Sequence, residues 1–317
     1  MAHERALLVI ADPIARWDQK REGTLALAAE AQSSGWRVFH STPQDVVFSG
    51  EGLRAAATSV SVEWPARLGA EAFRVTQGAT TYVPLESLGA VLVRPDPPVD
   101  LAYLHMLQLL TTVEERVRIV NRPSRLLRWN EKLSALLFAD AMLPTVIRME
   151  GSTVLDAKER NTRKNWGETV TKSLDEARGR GVSRSGSTGA SGSAPPKPVW
   201  LLEQPFNPRV AEGDKRVFIV AGKVVGGFNR IPADGAWLAS IRLGAKITPL
   251  NLTPAEVSIC QRIGEWSKRE DLHFLGVDLI GERLSEINLT SVGGLVEAQE
   301  NYGVEVAKEF FRSLAMA

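Results

Sequence analysis

Short apolar runs alternating with helical patterns constrain the first 120 residues more than any other feature. ALLVI (6–10) reads as a buried strand followed by the turn-like ADP. TLALAAEAQSSGW (24–36) reads as a helix ending near Gly35, and WRVFH (36–40) as a second strand. LGAVLVRPDPP (88–98) is a third core strand running into a proline-rich loop. DLAYLHMLQLLTTVEERV (100–117) reads as a helix and RIVN (118–121) as a short strand. Such alternation implies a parallel α/β layer. Ligands of these layers sit at the carboxyl ends of the strands, where Asp12 and Arg94 fall. DVVFSGEGLRAAATSVSVE (45–63) reads as strands around a turn at Gly50–Gly52.

RPSRLLRWNEKLSALLFADAM (122–142) reads as one helix, with Ser124 or Asn130 as an N-cap. Residues 144–203 are less regular and include GRGVSRSGSTGASGSAPPKP (179–198), a Gly/Ser/Pro run expected to be a mobile surface loop. Strand signals return near 199 in VWLLEQPF, RVFIVAGKVVGGFNRI and FLGVDLIGERLSEINL. TPAEVSICQRIGEWSKRE (253–270) opens on Thr253 with Glu256 three residues on, a capping box. VEAQENYGVEVAKEFFRSLA (296–315) reads as a C-terminal helical segment containing Gly303.

A chain of 317 residues suits two or three packed units. Its formal net charge of +1 argues against nucleic acid and membrane surfaces as partners. No apolar run approaches the about 18 to 20 residues that span a bilayer, and MAHERALLVIADP lacks the pattern of a signal peptide. The one cysteine, Cys260, excludes a disulfide framework and a cysteine-type zinc cluster; a reducing cytosol is the simplest location. Cys260 itself reads as buried packing.

GVDLIGERLSEINLTS (276–291) places Asp278, Glu286 and Asn288 inside an otherwise apolar, strand-like run. Glu286 and Asn288 share one face of a strand. If LGVDLI and LSEINL form a hairpin around Gly281, its register decides where Asp278 points. A two-residue turn puts Asp278 opposite Ser285. A three-residue turn over Gly281 to Arg283 puts it opposite Glu286, so that three oxygen ligands converge. Two carboxylates and an amide, without His or Cys, suit magnesium or manganese better than zinc. A hairpin with a solvated polar face is the alternative reading.

This stretch resembles the metal-binding strand pair of bacterial glutathione synthetase, a family of ATP-grasp ligases. The resemblance runs almost end to end, through ADPIARWDQKREGTLALAAEAQSSGW, VLVRPDPPVD, IVNRPSRLLRWNEKL, EGDKRVFIV and NRIP, in family order. It implies an ATP-grasp fold, α/β and α+β, with an N-terminal parallel α/β substrate domain over 1–122. A small lid domain with the Gly/Ser-rich loop would span 123–200, and a C-terminal domain carrying the metal 201–317. It further implies a homo-oligomer in the cytoplasm that takes ATP, with Mg2+ or Mn2+ at Asp278, Glu286 and Asn288.

By the same resemblance, Lys132 and Lys172 would approach the ATP phosphates, although Ser173 stands where the family has proline. Gly179 and Gly181 would form a loop closing over them, and Glu203, Gln204 and Phe206 the adenine hinge. Arg216, Arg230 and Lys246 would act on the transferring phosphoryl or acidic substrate groups. Asp12, Arg94, Asp96, Ser240, Gly293 and Gly294 would meet substrate. The implied reaction activates the cysteinyl carboxylate of γ-glutamylcysteine as an acyl phosphate, which the amine of glycine then attacks. Departures from the pattern are the loop GAWLASIRLGAKITP (235–249), where Lys246 replaces an arginine, Val292 and Val296 after the metal strand, and SRSGSTGASGSAPP in the lid. They leave open a ligase for another amino acid or peptide pair, and a non-catalytic nucleotide- or peptide-binding relative.

Overall fold

The computed structural model describes residues 4–152, 163–176, 180–185 and 199–316. Gly179 and most of the Gly/Ser/Pro run lie outside the described residues. The described strands form three sheets. In the first, β1 (Glu4–Ile10) is flanked in parallel by β2 (Arg37–Ser41) and β6 (Leu88–Val93), and β7 (Ile119–Val120) continues the parallel order beside β6. α1 (Gly23–Ser33) links β1 to β2, and α2 (Leu101–Thr111) links β6 to β7. Against the expected parallel layer, β3 (Val46–Ser49), β4 (Gly52–Glu63) and β5 (Arg74–Pro84) join antiparallel, making a seven-stranded mixed sheet. The physical reason is connection length. A tight turn at Gly50 can join only antiparallel strands, whereas parallel ones need a crossover.

A second sheet has the order β10-β9-β11-β8, built from β8 (Val146–Met149), β9 (Thr169–Ser173), β10 (Val182–Arg184) and β11 (Trp200–Pro205). It reaches Pro205, because β11 pairs with both β8 and β9. The third sheet comprises β12 (Asp214–Val220), β13 (Lys223–Ile231), β14 (Lys246–Pro249), β15 (Phe274–Ile280) and β16 (Arg283–Asn288), with β16 at one edge. Strand alternation sorts the apolar residues cleanly. Leu8, Ile10, Val217 and Ile219 enter one core, and Leu7, Val9, Phe218 and Val220 the other. Both cores draw on the first and third sheets, so the N- and C-terminal parts of the chain share their buried surface.

The helix expected over 122–142 is interrupted. α3 (Pro123–Arg128) has Pro123 at its first position, and a 3-10 segment resumes at Ser134–Ala141. Between them the Asn130 side chain accepts the backbone N–H of Lys132 and Leu133, at 2.9 and 3.2 Å. Such local bonds compete with helix propagation, and Glu131 and Lys132 are buried at the break. The capping box on α4 (Pro254–Arg269) forms as expected. Thr253 Oγ1 accepts from Glu256 N, and the Glu256 carboxylate accepts from Thr253 N at 2.8 Å. Cys260 is fully buried, and burial with the nearby Glu256 pushes its thiol up to about 12. Two further helices, α5 (Leu295–Tyr302) and α6 (Val306–Met316), close the chain against α1.

Where α6 packs near the start of β15, His273 Nε2 lies 2.9 Å from Ser313 Oγ, and its ring meets Phe310 edge-on. Burial, reinforced by Arg118, pushes this imidazole down to about 4. The unfolded chain therefore takes up the proton first. Stability is complete above about 6.5 and is lost as pH falls toward 4, by about 3 kcal/mol in all. Urea unfolding across this window is expected to show that slope in the parent chain and to lose most of it in His273→Gln.

Candidate active site

The β15–β16 hairpin reaches the hoped-for register by an unexpected route. Its turn has two residues, Gly281 and Glu282, both at positive φ (54° and 65°), the geometry that matches strand twist. That turn alone would set Asp278 opposite Ser285. A β-bulge intervenes: Leu279 pairs with Leu284, but Asp278 pairs with Glu286. Ser285 is the extra residue, and a bulge re-aims side chains. Ser285 and Glu286 both line one cavity as a result. Lys172 Nζ, arriving from β9, donates to Ser285 Oγ at 3.0 Å.

Asp278 and Glu286 have different surroundings. Asp278 is clamped by Arg216, with Nε to Oδ1 at 2.6 Å and Nη2 to Oδ2 at 2.9 Å. Arg230 Nη2 stands 3.1 Å from Oδ1, and Asn288 Nδ2 donates to Oδ2 at 3.2 Å. Burial pushes the Asp278 carboxyl up, but the two arginines outweigh it and hold the group well below the usual carboxylate range. Asp214, also against Arg230, is pushed up to about 6, chiefly by burial. Glu286 faces Lys132 Nζ at 3.2 Å, yet its buried Oε1 has no hydrogen-bond partner.

This difference tests the expected metal ligands. The Glu286 oxygen fits a hard cation, which would satisfy it. Asp278 accepts hydrogen bonds from Arg216 Nε, Arg216 Nη2 and Asn288 Nδ2, with Arg230 as a further ion-pair partner. The register does bring the three expected ligands together: Asp278 pairs with Glu286 across the hairpin and is hydrogen-bonded to Asn288. Among the described residues, no group of three or more His, Cys, Asp or Glu side chains is placed to hold a metal ion.

The cavity measures about 500 Å³, within the range of small-molecule sites. Of the residues singled out from sequence, Arg94, Lys132, Lys172, Gln204, Phe206, Arg216, Arg230, Ser240, Asp278, Glu286, Asn288, Gly293 and Gly294 line it. Burial lowers the Lys172 ammonium's pKa, against the opposing pull of Glu286 and Asp214. Gln204 donates to Thr145 Oγ1 at 2.9 Å, and Val170, Val182, Leu143 and Leu284 give its neighbourhood an apolar wall. Arg94 is buried and bonds both Thr24 Oγ1 and the carbonyl of Val292, tying the first sheet to the loop after β16.

Other expected residues lie off the cavity wall, through strand alternation and loop packing. Glu203 precedes Gln204 on β11 and so faces the opposite side, where Arg148 and Arg163 hold its carboxylate at 2.6 to 3.1 Å. Burial raises this carboxyl, but the Arg148 hydrogen bond and the arginine charges prevail and lower it. Lys246 is exposed on β14, because its neighbour Ile247 packs inward; Arg242 lines the cavity instead. Asp12 and Asp96 are absent from the wall. The Asp12 carboxylate accepts the Asp96 N–H at 2.8 Å, holding two loops together. Gly181, at φ 63°, gives its carbonyl to Ser173 N and lies off the wall. Gly179 lies outside the described residues. Sequence reasoning passed over Arg21, Glu131, Asp214, Arg242 and Ser285, all on the wall. Of these, Glu131 was within reach: it sits inside NEKL, beside a lysine already singled out.

The prokaryotic glutathione synthetase N-terminal domain matches residues 6–128, and the prokaryotic glutathione synthetase ATP-grasp domain matches 131–303. The chain belongs to the prokaryotic glutathione synthetase family. It is similar to the glutathione synthetase of Prochlorococcus marinus subsp. pastoris, at 33% identity covering 92% of this chain and 93% of that one. The glutathione synthetase of Rhodopseudomonas palustris is 31% identical, covering 95% of each chain. Among solved structures, a D-cycloserine synthetase superposes with TM-score 0.64 at 14% identity, covering 98% of this chain and 99% of that one. An ATP-grasp ligase complexed with a precursor variant, Mg and ADP superposes with TM-score 0.60 at 13% identity, covering 99% of this chain and 98% of that one. At such identities these two show the ATP-grasp fold. As a glutathione synthetase family member, the chain is a carbon–nitrogen ligase whose activity is ATP-dependent glutathione synthesis. ATP-grasp ligases use ATP with a divalent metal ion, and their substrates are small molecules. No helix among the described residues is long and apolar enough to cross a membrane.

Proposed function

We propose that the cavity holds ATP between the second and third sheets and joins γ-glutamylcysteine to glycine. The observation that carries this reading is the meeting of Lys132 and Lys172, from separate parts of the chain, at Glu286 and Ser285. Two ammonium groups in one cavity suit a polyphosphate. The apolar wall around Gln204 and Phe206 suits the base. Glu286, with Asp278 and Asn288 beside it, would hold magnesium or manganese, which supplies positive charge to the phosphates when bound.

In this reading the cysteinyl carboxylate oxygen attacks the γ-phosphorus of ATP, and the bond to the β-phosphate oxygen breaks, giving an acyl phosphate and ADP. Lys132 and Lys172 face the spreading phosphoryl charge. The glycine nitrogen then attacks the acyl carbon; phosphate leaves with the bonding electron pair, and the nitrogen releases a proton. Arg94, Ser240, Gly293 and Gly294 would position the acid and amine, and Arg216 and Arg230 would orient Asp278. Water must be kept out, since it would hydrolyse the acyl phosphate. We further assign a substrate unit to the first sheet, a lid to the second and the metal-bearing unit to the third, in a cytoplasmic homo-oligomer.

The test is ADP release with ATP, magnesium and γ-glutamylcysteine, with and without glycine. Glycine-dependent ADP matched by glutathione mass is expected. ADP that needs a different amine would overturn the assignment of glycine, and ADP independent of γ-glutamylcysteine that of the acid.

A further inference from the structure

β16 is an edge strand, so one row of its backbone N–H groups lacks a neighbouring strand. Met142 bridges this edge at Leu284, and Glu131 supplies acceptors at its far end. The carbonyl of Glu131 accepts from Ile287 N at 3.2 Å. Its carboxylate Oε1 accepts from Leu289 N at 2.9 Å, from Thr290 N at 3.0 Å and from Thr290 Oγ1 at 2.8 Å. Asn288 is thereby held between two points tied to Glu131. The next residue, Lys132, pairs with Glu286 at 3.2 Å and donates to the Glu176 carbonyl at 2.6 Å. Glu131 is 8% exposed, so water does not compete for these bonds.

We propose that Glu131 is a positioning residue for nucleotide binding. By clasping residues 287–290 it sets the distance between Lys132 and Glu286, and with it the place where phosphate is received. The break in the helix at Asn130 makes this possible, since a continuous helix would carry Glu131 and Lys132 to different faces. The inference rests on the reading of Lys132 as a phosphate-binding residue.

The experiment compares Glu131→Ala, Glu131→Gln and Lys132→Met by calorimetry with ADP in EDTA, and by KM for ATP and for γ-glutamylcysteine. E131A is expected to weaken ADP binding and raise the KM for ATP by about tenfold or more, the scale of an outer-shell partner, with the KM for γ-glutamylcysteine unmoved. E131Q keeps an oxygen for the three bonds and is expected to recover most of the affinity. Should E131A not fold, Glu131→Asp, shorter by one methylene, replaces it. A fall in stability alone, equal shifts in both KM values, or a Gln variant no better than Ala would overturn the proposal. If K132M binds ADP as the parent does, the reading of Lys132 fails instead, and Glu131 has no lysine to position.

Discussion

Glu286→Gln is expected to cut ATP turnover about 100- to 1,000-fold while the chain stays folded. The magnitude is that of removing one group placed on developing charge. The substitution keeps the size of the side chain and removes its charge. What is lost is the carboxylate oxygen that faces the cavity without a hydrogen-bond partner. The fold is expected to survive because Gln keeps an oxygen for Lys132 Nζ, which also donates to the Glu176 carbonyl. Burial raises the Glu131 carboxyl and the neighbouring Glu286 charge raises it further, so neutralising Glu286 relieves Glu131. Stability should stay within about 1 kcal/mol of the parent, as for substitutions away from the core. ADP release under saturating ATP and magnesium, with a urea titration alongside, checks both halves. Parent-like turnover would remove Glu286 from the metal site.

Arg216→Met carries the largest expected loss of stability, about 3 kcal/mol or more. Arg216 supplies two of the donors to the Asp278 carboxylate and also donates to the Gly293 carbonyl at 3.1 Å. Met fills much of the volume but leaves a buried carboxylate facing Arg230 and Asn288 alone. The double variant Arg216→Met/Asp278→Leu is expected to regain much of the loss, because the uncompensated charge is then gone. Urea midpoints for the single and double variants decide it. Equal destabilisation in both would mean that packing, and not the ion pair, is what Arg216 contributes.

Much of this site was legible before any coordinates. The short apolar runs located β1, β6, β12 and β15, because a strand buried on both faces leaves a continuous apolar record. Thr253 and Glu256 announced α4, since a capping box is a contact between residues three apart. Asp278, Glu286 and Asn288 were recognisable as one group on a hairpin. The helical break at Trp129 was not legible, because helix propensity misses a side chain that takes two backbone N–H groups. That the Glu203 and Lys246 side chains lie off the cavity wall was hidden for a different reason: a motif names residues, but strand alternation decides which neighbour faces the cavity.

The sequence by itself determined the family, the order of strands and helices, and the residue types available for binding a polyphosphate and a hard cation. These follow from rules that act between near neighbours in the chain. Only the tertiary structure decided which of those residues are free to act. Asp278 is neutralised by Arg216, 62 positions away, because β12 lies beside β15 in a dry interior. Glu286 lies opposite Asp278, beside Lys132 in the cavity, because one bulge shifts the register by one residue. Charges in a low-dielectric interior interact strongly with whatever is packed against them, and what is packed there depends on sheet order and register.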